Sequence, residues 1–364
     1  MVRLRKPSAI SQSEANSISV RSDCVGILSI ALGPSYPLVL VLWSVGSFFT
    51  GFIYNNAVTT GNKWFADKRG VMTGLIAGAF SWGSLPFIFP IRAIPASAPP
   101  ETFFTVVYIM AAIIGGVSIV SALLMKDPPS GWKPPGWVPK TKAIARPSEH
   151  NYTVSEALKT GQMWVLIVSF ILVSSAGLAG LSNMVAYSNG FHFTATAATA
   201  AAGGIALANG FGKLTLGTLS QRLGVENMMI VSYIVSGLLL FLTIYAGMNR
   251  SELLFVCAAI LAIFFWASLF SLFPIAIGHY FGEVSAGGNY GVLYAIAKGS
   301  GGLYGGILSA VLITQHGFPF AITIAGVMAI VAGLILIPLK YSPPIWKDEE
   351  AAARLNGRAA VGRG

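Results

Sequence analysis

Charge is scarce in this 364-residue chain: Asp, Glu, Lys and Arg together make up 10% of it, against about a quarter in soluble proteins. That scarcity, with 54% hydrophobic residues and a mean hydropathy of +0.70, excludes a soluble domain and a disordered one. Cysteine is nearly absent. Cys24 and Cys257 lie in apolar surroundings without ligand-like spacing, so no disulfide framework, zinc site or redox motif is expected. Histidine is rare too, and no HExxH or GxSxG pattern occurs. An intramembrane enzyme, which needs a positioned acid, base, nucleophile or metal cluster, is therefore not expected, and neither is a cofactor.

Long apolar runs are what the chain has instead. A span needs roughly 20 apolar residues to cross about 30 Å of hydrocarbon, and the sequence predicts about nine: near 36–59, 71–92, 103–125, 161–183, 194–217, 227–247, 252–275, 289–313 and 319–339. Only helices satisfy every backbone group in lipid over such evenly apolar lengths. The fold class read from the sequence is thus all-α, a polytopic transmembrane helical bundle.

Basic residues divide sharply between alternate loops. One set holds Lys63, Lys68 and Arg69, then Lys126, Lys133, Lys140, Lys142, Arg146 and Lys159, then Arg222, then Lys340, Lys347, Arg354, Arg358 and Arg363; the other holds Arg92 and Arg250. This asymmetry places the middle loop and the C-terminal tail in the cytoplasm, and it accounts for most of the +10 net charge without nucleic acid. Residues 1–35 break the scheme, because nine spans would put them outside although they carry Arg3, Arg5, Lys6 and Arg21. Cys24 to Gly33 is apolar but about half a span long, and reads as the remnant of a span whose first half is missing. The basic start lacks the apolar segment and cleavage site of a signal peptide. Proline density in KDPPSGWKPPGWVPK makes residues 126–160 a stiff, extended linker. The expected organisation is an N-terminal segment (1–35), three spans (36–125), the linker, six spans (161–340) and a basic tail (341–364).

Ionisable groups inside spans are functional candidates by default, and two stand out. Lys298, in NYGVLYAIAKGSGGLYGG, lies about ten residues into its helix, and no span offers a central Asp or Glu. A buried ammonium without a protein counter-ion is either left neutral or paired with something that is not protein, and an anionic substrate is the obvious partner; the alternative is a lysine that snorkels to an interface, for which a stem of ~6 Å falls short of the ~15 Å from mid-membrane. Lys213, in LANGFGKLTLG, lies about two turns from its helix end and could instead snorkel to the interface. Arg92 reads as an interfacial anchor. Glu101, Glu252 and Glu283 sit at span ends or in loops, so no proton relay is visible and anion exchange is as plausible as symport. Trp266 and Phe270 share a helix face at i, i+4 and could line a pocket, where an aromatic wall would exclude water and strengthen the charge interaction. Other span aromatics, among them Tyr54, Phe80, Tyr290, Tyr294 and Tyr304, read mostly as packing or lipid-facing residues. Gly203, Gly204, Gly210 and Gly212 flank Lys213, and Gly299, Gly301, Gly302, Gly305 and Gly306 follow Lys298. Small residues at such spacing let helices approach closely, either as static packing or as surfaces that rock.

Several segments are similar to a known family. GFIYNNAVTTGNKWFADKRGVMTGLIAGAF and NGFGKLTLGTLSQRLG resemble the major facilitator superfamily, and the first is similar to the junction of the fourth and fifth helices in its oxalate/formate antiporter branch. Asp127 to Pro139 resembles that branch's central linker, and Asn289 to Gly299 its eleventh helix. The resemblance implies a secondary carrier of small carboxylates in which Lys298 and Lys213 hold the anion. Trp266, Tyr54 and Phe80 would match wall positions, with Phe270 beside them. It also implies loop motifs at Asp67, Lys68, Arg69 and Gly70 and at Gly217, Arg222 and Gly224. The chain departs from the family in three ways: Lys213 replaces an Arg and loses its bidentate fork, Gln221 stands where an Asp is usual, and nine spans replace twelve, as though the chain began within the third helix. The expected function is transport of small organic anions, such as oxalate/formate or pyruvate/lactate, by alternating access. The expected carrier is a multi-pass protein of the plasma or bacterial inner membrane, with the lipid bilayer and a small carboxylate as partners and a monomer as its state. A sensor that binds an anion without transport, or a truncated inactive carrier, is the competing reading.

Overall fold

A computed structural model describes residues 36–65, 67, 69–95, 97–129, 132–135, 151–282 and 285–341. The Cys24 to Gly33 remnant, most of the linker, the basic tail and Lys68 lie outside the described residues, as do the side chains of Arg69 and Gly70. The described chain is helical throughout, without strands.

The chain forms two compact units: residues 1–76 with 84–138, and residues 77–83 with 139–364. In the first unit, α1 (Tyr36–Trp64) leads to α2 (Arg69–Trp82), whose last turns cluster with the second unit. α3 (Leu85–Arg92) and α4 (Pro100–Leu124) follow. Pro86 and Pro90 fit α3 as a short helix, since proline is accepted in a first turn but breaks the bonding of an interior one. After α4 the chain turns back onto the end of α1. Asp127 accepts hydrogen bonds from Lys63 Nζ (2.7 Å) and Thr60 Oγ1 (3.3 Å). Trp64 Nε1 donates to the Lys126 carbonyl, and Trp132 Nε1 donates to the Trp64 carbonyl. The start of the proline-rich segment is thus fastened to a helix end.

The second unit holds α5 (Val154–Ala157), α6 (Gly161–Gly190), α7 (Ala195–Leu223), α8 (Val225–Met248), α9 (Glu252–Trp266), α10 (Leu269–Phe281), α11 (Ala286–Leu303), a π-helical segment (Tyr304–Leu308), α12 (Ser309–His316), α13 (Phe318–Ile335) and α14 (Ile337–Tyr341). Thr160 and Thr194 cap α6 and α7 by accepting from the Met163 and Ala197 N–H groups. Gly224, at φ +86, ends α7 and opens α8 with no loop between them, a conformation L side chains rarely adopt. The core is aromatic and apolar: Phe273 stacks on Phe170 at 4.3 Å and on Tyr233 at 6.0 Å. Ser169 and Ser236 donate across helices to the Ala332 and Ala262 carbonyls. Large apolar side chains such as Leu238, Met248 and Leu253 stay exposed, as a lipid-facing surface requires.

The structure revises three expectations. Each of the nine predicted spans contains helix, but among the described residues seven helices are long and apolar enough to cross a membrane. The two others, α1 and α7, are 29 residues each; α7 is diluted by Ala, Gly and Thr. The span predicted over 252–275 is interrupted between Trp266 and Leu269, so Trp266 and Phe270 do not share one continuous helix. Of the glycines after Lys298, Gly301 and Gly305 press against Ser174 and Leu178 of α6, whereas Gly299, Gly302 and Gly306 face open space and mediate no close approach.

Candidate functional site

The interruption between α9 and α10 builds the site. Ser268, Phe270 and Ser271 donate their N–H groups to the Phe265, Ala267 and Ser268 carbonyls, tightening the backbone to three-residue turns. Pro274, inside α10, lacks the N–H that would bond the Phe270 carbonyl. The Trp266 and Phe270 rings meet edge to face at 5.6 Å across the break. Trp266 is locked: its Nε1 donates to the Val173 carbonyl at 2.7 Å, and its indole lies where a Cβ on Gly177 would fall, 2.0 Å away. Only glycine at 177 admits the ring.

Both candidate lysines converge on this aromatic corner. Lys213 Nζ lies 4.6 Å from the centre of the Phe270 ring and Lys298 Nζ lies 4.7 Å from the same centre, with Trp266 at 5.8 Å from Lys298. Lys213 is 4% exposed, which excludes snorkelling. Its ammonium donates to Ser81 Oγ at 2.6 Å and to the Ala77 carbonyl at 3.2 Å. Close backbone approach makes this reach possible. A Cβ on Gly212 would fall 2.1 Å from the Phe264 carbonyl oxygen, and one on Gly210 would fall 2.0 Å from the Trp82 indole. Lys298 is half-buried, and no hydrogen bond or ion pair to it exists among the described residues. The ion pairs found among described residues, Lys63 with Asp127 and His279 with Glu226, lie elsewhere. Two ammonium groups therefore share one ring, with no carboxylate paired to either among the described residues. Cation–π contact returns about 0.5–2 kcal/mol each, well short of what removing a charge from water costs.

The remaining predicted residues are placed as follows among the described residues. Phe80 is 60% exposed, and Tyr54 is half-buried in the first unit. Gly217 packs against Ser271, Arg222 lies in the last turn of α7, and Asp67 is exposed between α1 and α2. Two participants escaped the sequence reading. Ser81 and the Ala77 carbonyl hold Lys213. Tyr294, one turn before Lys298 on α11, packs against Phe270 at 6.4 Å. Glu226, in the first turn of α8, accepts from Tyr280 Oη at 3.1 Å, two residues past the Gly224 turn. An acid just after a turn glycine was the available signal, because carboxylates favour helix N-termini. Among the described residues, no group of three or more His, Cys, Asp or Glu could hold a metal ion.

The model of the Major Facilitator Superfamily matches residues 172–362, just over half of the chain, and the chain belongs to that superfamily. It is 28% identical to the oxalate:formate antiporter of Oxalobacter formigenes over 82% of this chain and 68% of that protein. It is 27% identical to YhjX, an uncharacterized transporter of this type from Escherichia coli strain K12, over 64% of this chain and 55% of that protein. In fold it is similar to the crystal structure of the E. coli fucose:proton symporter, with a TM-score of 0.58 and 15% identity over 90% of this chain and 83% of that one. The chain is a membrane transporter by family, and its spans are helical.

Proposed function

We propose that this chain carries small organic carboxylates across a membrane by alternating access, exchanging one anion for another. The observation that carries the reading is the pair of ammonium groups over Phe270 with no counter-ion among the described residues. A carboxylate seated there would supply the missing charge and draw on hydrogen bonds of roughly 1.5–3 kcal/mol to each charged donor. Lys298, whose ammonium meets the Phe270 and Trp266 rings and makes no hydrogen bond among the described residues, is the principal contact. Lys213, already bonded to Ser81 and Ala77, contributes its charge and its remaining N–H. Trp266 spends its N–H on Val173 and presents ring surface alone, which suits exclusion of water. Likeness to the oxalate:formate antiporter supports this substrate class. The loop-charge asymmetry supports a cytoplasmic C-terminus, and the default location is a plasma or bacterial inner membrane.

The test is uptake of labelled oxalate, formate, lactate and pyruvate into proteoliposomes holding the purified chain, with Lys298→Ala alongside. Uptake in the parent and none in the variant is expected. Uptake that survives the substitution would overturn the site, and anion binding without uptake would favour a sensor.

A further inference from the structure

In the first unit, two indole rings and two lysines gather where a lipid-facing helix runs out. Leu123 and Leu124, the last residues of α4, are each 74% exposed, as side chains in hydrocarbon are, and Lys126 follows two residues later, itself exposed. That step from apolar to charged marks the level of the lipid headgroups. Hydrogen bonds bring Trp64 and Trp132 to the same level. Trp64 Nε1 donates to the Lys126 carbonyl at 2.7 Å, and Trp132 Nε1 donates at 3.1 Å to the Trp64 carbonyl, which a helix end leaves open. The two rings meet edge to face at 5.1 Å. Both indole N–H groups are spent on backbone, so the pair is fixed in place and presents ring surface outward, with Trp132 40% exposed.

Charge around this pair is unbalanced. Asp127 is taken by Lys63 at 2.7 Å. Lys126 and Lys133 are exposed, and neither ammonium makes an ion pair or hydrogen bond among the described residues; Asp67, just past the end of α1, makes no ion pair there either. Fastening the linker would need the two indole bonds alone. Rigid ring surface at headgroup level, beside two uncompensated cations, matches a molecule that is apolar at one end and anionic at the other. We infer that this end of the first unit binds an anionic phospholipid, with its phosphate between Lys126 and Lys133 and its glycerol and upper acyl chains against Trp132 and Leu124. The loop-charge asymmetry supports the cytoplasmic leaflet for this end, the leaflet in which anionic lipids set a negative surface potential.

Native mass spectrometry of the full chain in detergent, titrated with dioleoylphosphatidylglycerol or dioleoylphosphatidylcholine, tests this. The variants are Lys126→Gln, Lys133→Gln and the two combined, with Lys159→Gln as a control that removes the same charge elsewhere. The parent is expected to bind its first phosphatidylglycerol more tightly than phosphatidylcholine by about tenfold or more. A lysine at an anionic surface is worth about fivefold, so either single change should cut that preference about fivefold and the double variant should abolish it, while Lys159→Gln leaves it intact. Absence of a preference in the parent, a preference unchanged in the double variant, or one lowered as much by Lys159→Gln as by Lys126→Gln overturns the site. Displacement of the bound lipid by glycerol 3-phosphate would show a small-anion site and overturn the lipid assignment. Lys298→Ala should keep the preference, so failure here and failure of the carboxylate reading are read separately.

Discussion

Replacing Lys298 by methionine should move ligand binding and bare stability in opposite directions. The substitution keeps most of the stem and removes the charge. In the anion-free protein that charge sits over Phe270 and Trp266 beside a second ammonium, with no carboxylate among the described residues to offset it. What is lost is cation–π contact of about 0.5–2 kcal/mol. What is relieved is the repulsion between two ammonium groups around one ring and the desolvation of one of them. At an effective dielectric constant of 20, two unit charges even 8 Å apart repel by roughly 2 kcal/mol. The two sides are comparable, so Lys298→Met should leave the apparent melting temperature unchanged or raise it by a few degrees. With saturating carboxylate the order reverses. The parent gains stability from an anion that binds only its folded state, while the variant, lacking a charge-assisted contact of roughly 1.5–3 kcal/mol, loses about ten- to a hundredfold in affinity and most of that gain. Scanning fluorimetry of both proteins with and without anion reads all four values. A variant that melts several degrees lower without ligand would show that Lys298 serves the fold, and the argument from an uncompensated charge would fail.

Further perturbations separate site from scaffold. Ser81→Ala removes the 2.6 Å partner of the Lys213 ammonium and should weaken anion affinity by about three- to tenfold, with Ser81→Thr restoring it. Trp266→Phe leaves the Val173 carbonyl without its donor and should lower the melting temperature, costing about 1–3 kcal/mol, as seen by the same fluorimetry. Gly212→Ala drives a methyl group to 2.1 Å from the Phe264 carbonyl oxygen and should abolish recovery of folded protein on size exclusion, whereas Gly299→Ala, with nothing within 4 Å, should be recovered like the parent.

Much of this was legible because lipid makes its demands locally. A charge in an apolar run is conspicuous whatever the fold, which is why Lys298 and Lys213 could be read directly, and 20-residue apolar lengths announce helices. The convergence of both lysines on Phe270 was not legible, since it depends on the break that the Ser268 turn imposes between α9 and α10, a break hidden inside a continuous apolar run. Ser81 was missed because a serine in an apolar helix carries no pattern; only the close approach permitted by Gly210 and Gly78 makes it a partner of Lys213. For Phe80 too, spacing gives no information on which face of α2 meets protein; the structure leaves that ring 60% exposed. The glycines split likewise, with Gly301 and Gly305 in contact and Gly299 in the open, because a glycine's use depends on the helix opposite.

Two lysines sharing one ring should bind one anion together. A double-mutant cycle on carboxylate affinity tests it, using the parent, Lys213→Met, Lys298→Met and the double variant in one binding assay. The prediction is strong coupling: Lys298→Met alone removes most of the affinity, and adding Lys213→Met costs little more. Affinity unaffected by Lys298→Met, or losses that simply add, would contradict it.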